Sequence, residues 1–170
     1  PFFILVLLFT LPTLGAQAEV SWTLRPVTAP HVQHCIFKRA TAKADVSYHI
    51  YKPEVYDSAK EKRFPVLYWL HGSGGGEQGI APLARFFDAA IRAGKVPPFL
   101  VVFVNGLPQG MYVDWKDGST PIESMIMKDL LPHVDATWRT VAKREGRMLD
   151  GFSMGGYGAA RLGFKFPETF

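Results

Sequence analysis

Residues 147–163 read RMLDGFSMGGYGAARLG, and this stretch decides the fold. Its first part completes a short β segment spanning Gly146 to Phe152. Its second part opens a helix from Ser153 to Phe166, closed by Pro167 and rich in small residues: Gly155, Gly156, Ala159, Ala160 and Gly163. A strand that runs straight into a helix needs a sharp turn, and Gly151-Phe152-Ser153-Met154-Gly155 matches the pattern G-x-S-x-G that makes one. Side chains two residues either side of the serine would collide with neighbouring backbone, so glycine stands at both places. The turn puts Ser153 Oγ at the open edge of a sheet. It also sets the adjacent amides at a helix N-terminus, where negative charge is favoured. Ser153 is therefore the candidate nucleophile. The alternative, an ordinary capping serine on a glycine-rich helix, fits the strand-to-helix context less well.

The same alternation extends upstream. Phe64 to Leu70 is a continuous apolar run of the kind buried on both faces of a sheet, and it ends in His71. Ile80, Leu83, Ala84, Phe87 and Ile91 then recur at helical spacing until Gly94. Phe99 to Val104 is a second buried strand, ending at Asn105-Gly106, and a loop from Gly106 to Ser119 follows. Thr120 and Glu123 form an expected capping box around Pro121, opening a helix whose buried face is Ile122, Met125, Ile126, Leu130 and Val134. Pro132 is expected to kink or divide that helix. Before all of this, Val32–Arg39 and Asp45–Tyr51 are β-rich, and the second alternates in part, as a half-exposed hairpin strand does. Two strands followed by three strand–helix units imply an α/β fold: a mainly parallel sheet with helices on both faces.

His71-Gly72-Ser73-Gly74-Gly75-Gly76 directly follows the first buried strand. In hydrolases with a nucleophile elbow, this turn donates one backbone N–H to the developing oxyanion, and the residue after the nucleophile donates the other. The donors expected here are the amides of Ser73 and Met154, with Gly74 as a substitute for Ser73. His71 is not read as the catalytic base, because it is fixed on that turn and the base of such enzymes follows the nucleophile. Gly72, Tyr112 and Trp115 are the candidate substrate contacts, the last two from the loop after the second buried strand. Gly74 to Gly79 also fits G-x-G-x-x-G, but the next strand ends without an acid and no lysine follows the glycines. Dinucleotide and phosphate-loop readings therefore fail.

From about Val32 to Phe170 the chain resembles the Putative esterase family of α/β-hydrolases, which includes feruloyl and acetylxylan esterases, S-formylglutathione hydrolases and mycolyltransferases. The likeness is carried by Val66–Gly75, by Leu130-Leu131-Pro132-His133-Val134-Asp135 and by Gly151–Gly158, three motifs in the family's order. It implies an α/β-hydrolase fold and a serine carboxylic-ester hydrolase acting through an acyl-enzyme on Ser153, with neither cofactor nor metal. An acyltransferase of the same fold and a non-catalytic binding module are the alternatives. The chain departs from the family at its end. All five histidines (His31, His34, His49, His71 and His133) precede Ser153, and Glu168 is the only acid after it. The triad's acid and histidine are accordingly expected beyond residue 170, with the chain truncated after the elbow helix and inactive by itself.

Composition bounds the rest. The chain is 48% hydrophobic and 20% charged, as soluble globular proteins are. Nineteen Lys and Arg against fifteen Asp and Glu give +4, but they are scattered, and a nucleic-acid partner would need a clustered basic face. Cys35 is the single cysteine, which excludes a disulfide framework and suits a small buried hydrophobe. Residues 2–14 are almost wholly apolar, and Ala16-Gln17-Ala18 follows. This is the core and cleavage site of a signal peptide lacking its basic start, too short to span a bilayer. The expectation is a signal peptide over 1–18 and the N-terminal part of one α/β-hydrolase domain over 19–170. Such an enzyme would be secreted or periplasmic, acting on a small-molecule, polysaccharide or lipid ester without stable membrane insertion.

Overall fold

The two central strands have apolar sequences on both of their faces, VLYWL over Val66–Leu70 and LVVFV over Leu100–Val104, and the other elements stack around them. The computed structural model describes residues 21–38, 41 and 44–170, so the expected signal peptide lies outside the described residues. In chain order the elements are β1 (Val32–Phe37), β2 (Val46–Tyr51), the short α1 (Val55–Ser58), β3 (Val66–Leu70), α2 (Glu77–Arg92) and β4 (Leu100–Val104). A helical run follows, made of α3 (Ile122–Ser124), a π-helical segment (Met125–Leu130) and α4 (Leu131–Thr137). Then come β5 (Arg147–Gly151) and α5 (Met154–Lys165).

The strand order is β1-β2-β4-β3-β5. β4, β3 and β5 are parallel, whereas β2 joins β4 antiparallel and β1 in turn pairs antiparallel with β2 at that side. The chain leaves β3 for β4 on one flank, then returns past β3 to β5 on the other. In open sheets, ligand crevices form where the order reverses in this way, at the strands' C-terminal ends. The register brings Leu70, Val104 and Gly151 abreast, so the His71 turn, the Asn105 loop and the Ser153 elbow emerge side by side.

Helices cover both faces. Leu67, Val101 and Phe103 pack with Ile80 and Ala84 of α2 on one side. Val66, Tyr68, Leu100 and Val102 pack with Ile122, Ile126, Val134 and Leu162 on the other. Pro132 divides the helical run as expected, but the division is a π-helical segment just ahead of it. Met125, Leu130, Ile126 and Leu131 are buried at i to i+5 spacing, which π turns align on one side better than α turns do.

Two local expectations are corrected. β2 is not half exposed: all six of its residues are buried, because Trp22–Val27 and α2 cover the face opposite the α4 side. Thr120 and Glu123 form no capping box. Asp114 reaches back from the loop to accept the Ser124 N–H at 2.9 Å and its hydroxyl at 2.7 Å. Glu123 is buried instead and pairs with Arg161 and Lys165 of α5.

Candidate active site

Ser153 stands between β5 and α5 with φ 53° and ψ −115°, a backbone conformation that only a strongly constrained non-glycine residue keeps. The constraint is visible on both sides. A Cβ on Gly151 would lie 2.5 Å from the Gly155 carbonyl carbon, and one on Gly155 would overlap the Leu70 carbonyl oxygen. The elbow and the end of β3 are thus in backbone contact, which fixes the serine relative to the His71 turn. Gly72 is part of that approach, its Cβ position 3.5 Å from the Ser153 Cβ.

Of the expected oxyanion donors, Ser73 and Met154 keep amides with no backbone acceptor among the described residues. Met154 is the first residue of α5, where the helix leaves its N–H groups unpaired. Gly74 is excluded as a substitute, because its N–H donates to the Pro108 carbonyl at 2.9 Å. Its φ of 93° and that of Gly75, 108°, are the left-handed turns that direct the chain toward the Pro108 loop.

His71 is buried and locked. Its Nε2 accepts the Gly106 N–H at 3.1 Å, so the ring proton is on Nδ1, which donates to the Gly72 carbonyl at 2.7 Å. Burial holds its pKa below the ordinary imidazole value. Both nitrogens are occupied, so it ties the turn to the loop that leaves β4 and has no lone pair for a serine proton. The Ser153 hydroxyl has no side-chain hydrogen-bond partner among the described residues. His133 is on α4, hydrogen-bonded to Tyr48 and stacked on Phe37.

Tyr112 is the main correction among the candidate contacts. Its side chain is wholly buried, and its ring fills a slot where Gly106 and Gly158 present no Cβ. The phenol donates to the His71 carbonyl at 2.9 Å. It cannot also reach a ligand, and its place is beneath the turn. No sequence signal separated it from Trp115, since both are aromatics of one loop. Trp115 is 42% exposed and lines a cavity of about 600 Å³ with Gly74, Gly75, Gln109 and the segment before β1. That segment, through Thr23 and Arg25, was not among the expected site residues. Its alternation from Ser21 to Arg25 marks an extended stretch with Trp22 and Leu24 on one side, but nothing local says which cavity the other side lines.

The family model described as Putative esterase matches residues 40–170. The chain is 32% identical to an endo-1,4-beta-xylanase/feruloyl esterase of Xylanibacter ruminicola, over 81% of this chain and 20% of that protein. It is 29% identical to esterase Rv1288 of Mycobacterium tuberculosis, over 83% of this chain and 31% of that one. Among solved structures, a ferulic acid esterase superposes with a TM-score of 0.75 at 24% identity, covering 82% of this chain and 56% of that one. A ferulic acid esterase from Anaeromyces mucronatus, solved in complex with ferulic acid, gives 0.70 at 17% identity, covering 91% and 60%. These superpositions carry the fold. The chain spans a fifth to a third of these curated relatives and a little over half of these solved structures.

Proposed function

The chain belongs to the Putative esterase family, and on that premise we propose that it carries the nucleophile and the oxyanion donors of a serine carboxylic-ester hydrolase. Ser153 Oγ attacks the ester carbonyl carbon, and the oxygen that becomes negative is received by the amides of Ser73 and Met154. Collapse of the tetrahedral adduct expels the alcohol, and water then releases the acid from the acyl-serine. The histidine that takes the serine proton, and the acid that orients it, are assigned to the part of the relatives' length that this chain does not span. The run over residues 2–18 is read as an export signal, giving a secreted or periplasmic enzyme.

The observation that carries this reading is the Ser153 backbone, held at φ 53° between two glycines that have no room for a side chain. Labelling the full-length protein with a fluorophosphonate and mapping the adduct by mass spectrometry tests it. The adduct is expected on Ser153, and Ser153→Ala is expected to lower kcat by several orders of magnitude. An adduct on another serine, with Ser153→Ala still active, rejects it.

A further inference from the structure

Residues Trp22–Val27 lie ahead of the segment matched by the family model, which begins at residue 40. Three buried polar side chains are nevertheless committed to holding them. Asn105 Nδ2 donates to the Trp22 carbonyl at 2.8 Å. Ser47 Oγ accepts the Leu24 N–H at 2.6 Å, and His49 Nε2 accepts the Val27 N–H at 3.1 Å. Ser47, His49 and Asn105 are each at most 1% exposed. Burying such groups is unfavourable unless they are hydrogen-bonded, so the strap and its three anchors require one another.

The strap does more than cover β2. Thr23 and Arg25 line the same cavity of about 600 Å³ as Gly74 and Gly75 of the oxyanion turn, and Trp115 lines it as well. Among the described residues, Arg25 is the only Lys or Arg in the lining, and no carboxylate lies within ion-pair distance of its guanidinium. Glu77, the one acid of the lining, sits at the first residue of α2, where the helix N-terminus favours its charge. A guanidinium presents several N–H donors in a fork that matches a carboxylate.

We propose that Trp22–Val27 is the specificity wall of the site and that Arg25 binds a carboxylate carried by the ester substrate. This rests on the esterase reading above. The carboxylate can belong to the acyl group or to the alcohol, and the test separates the two.

The full-length protein and its Arg25→Ala and Arg25→Lys variants are assayed on two ester pairs. One pair is 4-nitrophenyl butyrate and mono-4-nitrophenyl succinate, with the carboxylate in the acyl group. The other is phenyl acetate and 3-carboxyphenyl acetate, with the carboxylate in the alcohol. Comparing variant with parent on each ester cancels the esters' intrinsic reactivity. Arg25→Ala is expected to lower kcat/KM for the carboxylate member of one pair about ten- to hundredfold more than for its neutral partner. Arg25→Lys restores part of the difference, because the charge remains and the fork does not. An unchanged within-pair ratio for both pairs in Arg25→Ala overturns the assignment of Arg25. Failure of the parent protein to turn over any of the four esters instead removes the esterase reading beneath it.

Discussion

The Tyr112 hydroxyl donates to the His71 carbonyl at 2.9 Å while the Tyr112 ring packs where Gly158 of α5 has no Cβ. One side chain therefore touches both elements that supply the proposed oxyanion donors, the Ser73 turn and the elbow helix. Arg161 reinforces the contact, reaching Glu123 with one guanidinium nitrogen that also approaches the Tyr112 carbonyl.

Tyr112→Phe keeps the ring and removes the bond to His71. It should lower stability by about 1–2 kcal/mol, because a buried carbonyl loses its donor. If the bond also sets the spacing of the two amides, kcat should fall roughly ten- to hundredfold with KM little changed. Denaturant titration and steady-state kinetics of the full-length protein measure the two effects separately. Loss of stability with kcat intact would leave Tyr112 a purely structural residue.

Trp115→Ala should act in the opposite way. The indole is 42% exposed on the cavity wall, so its removal should leave the denaturation midpoint nearly unchanged. KM should rise for esters with an aromatic or sugar group, since stacking area is lost. Equal kcat/KM across a panel of esters, with reduced stability, would mean that Trp115 only pins the loop.

Glycine contacts in α5 make a paired prediction. Gly155→Ala should yield no soluble folded protein, because the new Cβ would overlap the Leu70 carbonyl and separate the elbow from β3. Gly163→Ala meets no atom within 4 Å, and helix propensity should make it neutral or stabilising by about 0.5–1 kcal/mol. Soluble yield and thermal midpoint compare them.

Acid should destabilise the fold through its histidines. Burial lowers the pKa of His49 to about 4, and the same cause lowers those of His71 and His133. A folded-state pKa below the unfolded value near 6.5 means that the unfolded chain binds protons first as pH falls. The stabilising contribution is therefore complete above about pH 6.5 and is lost as pH falls toward 4. For His49 that amounts to about 2–3 kcal/mol at pH 4.5. His49→Gln retains an acceptor for Val27 without titrating, so its stability should fall less between pH 7.5 and 4.5 than that of the parent protein. Parallel curves for the two would remove His49 from the account.

Residues 19–170 by themselves should show no esterase activity beside the full-length protein. Both nitrogens of His71 are occupied, and a serine hydroxyl without a base is a weak nucleophile. β5 pairs only with β3 among the described residues, and Phe152, directly after it, is 71% exposed. An edge left unpaired in this way invites association. Comparable kcat/KM on a short-chain aryl ester would show that a base does lie among these residues.

The elbow was legible in the sequence because its determinants are local. G-x-S-x-G fixes a turn through backbone contacts that no side chain can enter, and the strand and small-residue helix flanking it have distinct periods. The buried strands, α2 and its stop at Gly94 follow from the same short-range rules. Tertiary structure decided what depends on partners distant in sequence. The Gly74 amide is lost to Pro108, thirty-four positions on. Glu123 turns from a local cap to Arg161 and Lys165, because a buried carboxylate is better satisfied by two cations than by one amide. Tyr112 and Trp115 share one loop, yet only folding sends the first into the slot between Gly106 and Gly158 and leaves the second on the cavity wall. The Trp22–Val27 strap alternates like an extended segment, but where it lies was decided by partners far along the chain: Trp22 and Val27 pack on the core, and buried Ser47, His49 and Asn105 bond its backbone.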